Sequence, residues 1–523
     1  MVPRSTLLFS LMCASLNALS SASAASPEPV GVFAHQGDIG EPTIAGSVTY
    51  QASDQSYHMA AAGTNLWGGE DEFHFVWNQL EVDFILRARV EFLGDGVDPH
   101  RKAGWMVRAD LDTGSVYADS CVHGDGLTSL QYRAEKDGGT AEVILENLLN
   151  GTYPDVLQLE RRGGSFIFSA ARYGEPFKSV TLDAIDLPDR VHVGLFLCSH
   201  NAAVVEQVIF RDVRIITPAA PDFRPYHDYL GATMEILEVS TGKITSILQS
   251  DEPFEAPNWT TDGQKLIINV SGSGPNKGIL RTIDLATGEI ARLPTGPAVR
   301  NNNDHVLSFD GTRLAISHHE GDAGISTLYT LPATGSDAPV QITDPAWGHS
   351  FLHGWSPAAD KLIYTAQRND QWDIYQVDIA TRTETQLTDH PGLDDGSEYT
   401  PDGKWIYFNS ARSGTMEIWR MHPDGSSLEQ VTDDELNNWF PHPSPDGKWL
   451  VFLSYGADVA PTDHPYYQPV TIRLMPLDGS TPPRIIAYVY GGQGTINVPS
   501  WSPDSQRIAF VSNSGPAKFD AKP

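Results

Sequence analysis

Between about residue 233 and residue 516 the chain alternates bulky apolar and polar positions in runs of about five to eight residues, the period-2 signal of strands buried on one face. The clearest unit is Gly392 to Thr432. Within it Trp405 to Asn409 and Met416 to Met421 alternate, while Pro401-Asp402-Gly403 and Asp424-Gly425 supply the preset φ, side-chain cap and positive-φ position of tight turns. The same grammar recurs at Trp259 to Gly263, Ser308 to Gly311, Trp355 to Pro357, Ser444 to Gly447 and Trp501 to Asp504. A period of roughly 40 to 50 residues with four strands per unit predicts β-propeller blades. Whole blades fall at 254–296, 299–345, 347–390, 392–434 and 436–489. The hairpin Met234 to Leu248 lacks a first half and Val498 to Ser512 lacks a second, so the two complete a sixth, split blade that closes the ring.

Residues 26–218 follow a different rhythm. Strand-like runs at Phe84 to Phe92, Gly104 to Arg108, Ser115 to Val122, Leu127 to Arg133, Val156 to Arg161, Phe166 to Arg172, Val191 to Cys198 and Val204 to Ile216 carry no helical periodicity, apart from the ambiguous Ala141 to Leu149. The fold class is therefore all-β: an N-terminal β-sandwich, a Pro-rich linker at 219–232, a six-bladed propeller at 233–516 and a short tail at 517–523. Residues 1–25, with Arg4, an apolar run from Leu7 to Leu19 and Ala22-Ser23-Ala24-Ala25, read as a secretory signal peptide. Cys13 lies inside that segment and fits a lipoprotein cleavage site poorly. No later stretch has the 18 or so apolar residues of a spanning helix, so a periplasmic or secreted protein without a membrane span is expected.

Charge narrows the partners. Against 35 Lys and Arg stand 66 Asp and Glu, a formal net charge of −31 that repels nucleic acid and anionic membrane. In the sandwich, Phe73, Phe75 and Trp77 share one strand face, which is either core or a platform on which a sugar ring stacks. Cys121 and Cys198 are each followed two residues on by a histidine, His123 and His200. If their strands are neighbours, free thiols, a disulfide and a Cys2His2 zinc site are all open.

Propeller topology sorts the remaining polar residues. Innermost strands begin on the face opposite the Asp-Gly turns, and that rule gathers Asn301, Asn302, Asn303, Asp304, His318, His319, His349, Arg368, Asp394, Asp395, Arg412, Asn437, Asn438, Asp463, His464, Gln493 and Asn497 at one mouth. The Asp-Gly face is left with ordinary turn residues. Four inner strands bring His305, His353, Glu398 and His442 to similar depth, which marks them as candidate catalytic residues. The three imidazoles would suit one divalent cation, Ca, Mn or Zn, clamping a carboxylate or activating water, and equally suit acid–base chemistry.

The repeat run, with its WSPDG-like turns and strands such as Asp373-Ile374-Tyr375 and Glu417-Ile418-Trp419, resembles the TolB-like six-bladed propellers. Gly63 to Gly69, Asp83 to Val90, Lys102 to Arg108 and Ser129 to Arg133 together resemble the concanavalin-like jelly rolls attached to secreted glycan-active proteins. These resemblances imply a fold, a leaning towards sugars, and two functional expectations. One is a glycan-binding or glycan-processing protein, a metal-assisted polysaccharide lyase or glycoside hydrolase if an enzyme. The other is a non-catalytic periplasmic scaffold whose mouth accepts a protein partner. The resemblance extends to oligogalacturonate lyases only as analogy, since neither Gly348 to His353 nor Gly491 to Gly494 reproduces their glutamine and histidine spacing. No G-x-S-x-G elbow follows the propeller, so a propeller-plus-hydrolase peptidase is not expected. Gly491 to Gly494 lacks the strand-turn-helix setting of a phosphate loop.

Overall fold

A computed structural model describes residues 29–146, 153–224 and 227–517; the predicted signal peptide lies outside them. The chain is all-β, as expected. Among the described residues no helix is long and apolar enough to cross a membrane.

The N-terminal half is a sandwich of two antiparallel seven-stranded sheets. One runs in spatial order His35–Ile39, Phe73–Leu80, Val191–Cys198, Lys102–Arg108, Tyr117–His123, Thr128–Arg133 and Ala141–Ile144, so the described part of the ambiguous 141–149 segment is a strand. The other runs Lys178–Leu182, Ser165–Ala171, Val156–Arg162, Phe84–Phe92, Glu206–Ile216, Ser56–Ala61 and Ser47–Gln51. Alternate residues of both sheets, among them Val76, Trp105, Leu195, Leu86, Phe168 and Phe210, interdigitate in a shared core. The outer face of the first sheet carries a second core beneath a loop. There Phe73, Phe75, Phe196, Met106 and Tyr117 pack with Leu66, while Asp71 is buried with its charge met by Arg108 at 3.2 Å and Arg133 at 2.6 Å. The aromatic row is thus core; Trp77 is half-buried and stacked between His35 and Phe75.

Cys121 and Cys198 are buried free thiols. Their strands are not neighbours, because Lys102–Arg108 runs between them and pairs with both. That intervening strand removes the geometric premise of a disulfide or a Cys2His2 site.

The C-terminal half is a six-bladed propeller. Five blades are four-stranded sheets, and the sixth joins Lys243–Ser250, Ala232–Glu238 and Arg507–Ser512 in that order. The latch register pairs Thr233 with Ser512 and Glu238 with Arg507. The expected innermost strand of this split blade is reduced to one bridge between Trp501 and Ile508. Indole N–H groups tie adjacent blades: Trp259 donates to the Ser500 carbonyl, Trp355 to Val306 and Trp501 to His442. In all five whole blades the innermost strand is bulged, at 255/258, 301/305, 352/354, 395/398 and 439/442.

The latch also holds the sandwich. Glu235, on the strand Ala232–Glu238, accepts from Ser512 Oγ at 2.9 Å within the blade and from Arg214 Nε of the sandwich at 2.6 Å. Arg87 and Arg89 lie beside this pair with Asp212, and burial next to these charges brings Arg87 down to about 10. Replacing Glu235 by Ala leaves Arg214 buried without its closest counter-charge. Removing one partner of a buried pair costs about 3 kcal/mol or more. The variant is expected to melt several degrees lower in thermal denaturation, whereas an unchanged midpoint would show the contact to be dispensable.

Candidate functional site

One end of the propeller opens into a cavity of about 950 Å³. Its polar floor comes from the starts of innermost strands: Asn302, Asn303 and Asp304 from Asn301–Leu307, His353 from Ser350–Trp355, and Asp395 from Asp394–Tyr399. The strand Arg313–Glu320 contributes His319, loops contribute His464, Gln493 and Asn497, and the walls include Phe351, Trp372 and Phe440. Phe351 and Trp372 are 5.7 Å apart and His349 stacks on Phe351, so one wall is a layered aromatic surface.

The floor holds two carboxyl groups with opposed proton affinities. Asp395 Oδ1 accepts from His353 Nε2 at 2.8 Å, Thr365 Oγ1 at 2.7 Å and the Gly396 amide at 2.8 Å. Burial opposes its charge, yet the His353 imidazolium and these bonds outweigh it and bring Asp395 down to about 2. Asp304 has no such cation in contact. It accepts from Asn302 Nδ2 at 2.5 Å, and burial pushes its carboxyl up to about 7 against the pull of His353. Burial would lower His353, but the charge of Asp395, with Asp304 and Glu398 behind it, raises it instead. Near neutral pH the floor therefore contains a carboxylate, an imidazolium and a carboxyl group poised to give or take a proton.

Of the residues placed at the mouth by sequence, Asn302, Asn303, Asp304, His319, His353, Asp395, His464, Gln493 and Asn497 line this cavity. The others are engaged in local structure. Asp394 pairs with Arg412 at 2.7 Å, and Arg368 binds Glu384 and the His349 carbonyl. Asn437 caps the Met416 amide, Asn438 bridges Glu417 and Ser454, and His318 accepts the Arg300 amide. His349 accepts from the Ser326 amide behind the aromatic wall, and Asp463 caps the amide of His464.

Three catalytic candidates are misplaced by the sequence reading. His305 is fully buried, neutral, brought to about 4 by burial, and directed at the Ile267 carbonyl of the neighbouring blade. His442 lies between Glu398 Oε2 at 2.6 Å and the Ile496 carbonyl at 2.5 Å, a blade-to-blade clamp. Glu398 lines a second cavity, of about 330 Å³, at the Asp-Gly end, where burial pushes its carboxyl up. The His305, His353 and His442 set thus does not converge on a common cation. Residue counting assumes even spacing, but the bulges insert extra residues, so positions just past them lie deeper than expected. The Asp-Gly face is also richer than turn residues alone, since Trp259, Trp355, Trp501 and several prolines line its cavity. The aromatic wall of the mouth, Phe351, Trp372 and Phe440, was missed; all three sit on strands, where alternation marks such residues as core.

A six-bladed ring with a split closing blade and a polar mouth defines a TolB-like propeller, and the chain belongs to that family. The family model described as the TolB beta propeller domain matches residues 341–463. An uncharacterized protein of Agrobacterium fabrum is 42% identical over 281 residues, 54% of this chain and 92% of that protein. A solved structure from Agrobacterium tumefaciens is 42% identical, covers 55% of this chain and 99% of its own, and superposes with a TM-score of 0.51. The Tol-Pal system protein TolB of Francisella tularensis is 26% identical over 259 residues, 49% of this chain and 55% of that protein.

Asp304 gives the site a measurable signature. Its folded value of about 7 lies above the ordinary 3.8, so its contribution to stability is complete below about pH 4 and is lost as pH rises through 7. Asp304→Asn cannot ionise and escapes that loss. The variant is expected to match the parent at pH 4 and to exceed it at pH 8 by an amount on the order of 2–4 kcal/mol, read from denaturant midpoints. Equal stability of the two at pH 8 would mean that Asp304 is an ordinary carboxylate.

Proposed function

We propose that the propeller mouth binds a neutral glycan, with Asp304 as the group that transfers a proton to it. The observation that carries this reading is the pairing of Asp304, pushed up to about 7, with Asp395, held at about 2, on the floor of a cavity walled by Phe351, Trp372 and Phe440. Aromatic faces stack on the apolar faces of sugar rings, while Asn302, Asn303, Gln493 and Asn497 offer both donors and acceptors to hydroxyl groups. A carboxyl protonated near neutral pH beside a permanent carboxylate is the arrangement with which glycosidic bonds are protonated and the resulting positive charge stabilised. The acidic surface and the predicted signal peptide suit work outside the cytoplasm.

A second reading is favoured by the kinship with a protein named for the Tol-Pal system: the mouth would accept a segment of a partner protein and do no chemistry. Calorimetry with neutral oligosaccharides, combined with reducing-end release, separates the two. Binding is expected for the parent and should weaken about tenfold in Trp372→Ala, the loss of roughly one aromatic stacking contact. Asp304→Asn should keep the affinity and lose cleavage, and parental cleavage should decline above about pH 7 as Asp304 ionises. Failure of every neutral oligosaccharide to bind would sink the glycan reading and leave the protein-partner one.

A further inference from the structure

We infer that the sandwich carries a binding site for a zinc-type divalent cation, built from His100, His123 and Asp125. One ligand atom from each of these three lies within 4.8 Å of the other two, in the grouping of such residues found among the described residues. His100 and Asp125 are exposed and His123 is buried, which puts a mouth on one side of the site and a fixed base on the other.

Two loops hold the three side chains in place. The Gly124 amide donates to the Arg101 carbonyl and the Asp125 amide to the Pro99 carbonyl, both at 2.8 Å, so the turn bearing Asp125 is zipped to the loop bearing His100. Arg101 then anchors that loop through Glu206, at 2.6 Å in the interior. His123 itself closes the strand Tyr117–His123, opposite Lys102.

The independent sign of a missing ligand is His123 Nδ1. The residue is only 2% exposed, and Nδ1 is buried without a hydrogen-bond partner although the ring lies against that of His100, at 5.8 Å between centroids. An unpartnered buried nitrogen costs about 1–3 kcal/mol, a cost that coordination would remove. The opposite nitrogen, Nε2, faces Cys121 Sγ at 3.6 Å and the Gln131 side-chain amide at 3.3 Å. Metal on Nδ1 puts the ring proton on Nε2, where the sulfur, or the amide oxygen after rotation of Gln131, accepts it. That is the supporting bond metal-bound histidines normally have.

Two neutral imidazoles and one carboxylate form the ligand set of an open zinc site, with bond lengths of about 2.0–2.2 Å. His100 Nδ1 and Asp125 Oδ2 are 3.9 Å apart, and both are exposed enough to close in on an ion. A further imidazole, His200, stands 5.5 Å from His100 between centroids and is held by Asp98 at 3.3 Å, within reach of a remaining position. Lys102, paired opposite His123, opposes the ion, and its ammonium donates to Asn65 Oδ1 at 3.3 Å and Gln131 Oε1 at 3.5 Å.

The test uses the whole chain, untagged and stripped with chelator, titrated with Zn²⁺ alone by calorimetry and with Co²⁺ by visible absorption. One equivalent per chain is expected, with the intense bands of a low-coordinate nitrogen and oxygen site. His100→Ala and Asp125→Ala alter exposed side chains and should fold normally, each weakening Zn²⁺ at least tenfold; His353→Ala, in the propeller mouth, should leave it unchanged. Absence of a stoichiometric site, or parental affinity retained in both sandwich variants, overturns the assignment. Neither outcome depends on whether the mouth binds a glycan.

Discussion

The structure depends on the insertion of the strand Ala232–Glu238 between Lys243–Ser250 and Arg507–Ser512. A propeller is a sheet-edge problem repeated around a ring, and only this pairing, between segments some 270 residues apart, removes the final pair of edges. Because the latch forms from the two ends of the repeat run, the ring cannot close until every blade between them is made. Glu235 adds a second duty to the same strand by meeting Arg214 of the sandwich. Ring closure and domain attachment therefore share one buried charge.

Rigidity at the mouth follows from how the blades are stitched. Tryptophan N–H groups reach carbonyls of adjacent innermost strands, and His442 spans from Glu398 to the Ile496 carbonyl across blade boundaries. Between these ties the innermost strands bulge, and residues in or ahead of the bulge are turned towards the cavity. Asp304, His353 and Asp395 all occupy such positions. The irregularity that interrupts pairing is thus what presents the polar floor, while the ties hold it in one geometry.

The fold was readable because its determinants are local. Asp-Gly turns, alternating strands and an unpaired half-blade at each end of the run are written in adjacent residues, and counting them yields six blades and their closure. The mouth was readable as a face but not as a depth, since no sequence feature announces an extra residue at 395/398 or 439/442. His305 and His442 show the consequence: their residue type suggested chemistry, whereas each is consumed by a carbonyl of the neighbouring blade. In the sandwich the pairing of strands decided the matter. Cys121 and Cys198 share a plausible motif, yet the strand between them separates the thiols, and His123 finds His100 and Asp125 from a loop that its own spacing could not indicate.

The electrostatics of the mouth select among ligands. With Asp304 protonated, Asp395 ionised and His353 charged, the floor is close to neutral below pH 7, and it becomes negative above that as Asp304 ionises. The charge on His353 is already committed to Asp395 at 2.8 Å, so the floor offers no uncommitted cation to an acidic sugar. A uronate entering there would meet the Asp395 carboxylate and, at higher pH, a second one, inside a protein whose formal net charge is −31. The three-histidine cation centre that could have reversed this balance is not formed, because two of its members face the interior of the ring. A polyanion is therefore disfavoured both at approach and at contact. On the reading proposed above, a neutral, hydroxyl-rich ring suffers neither penalty and can use the aromatic wall of Phe351 and Trp372.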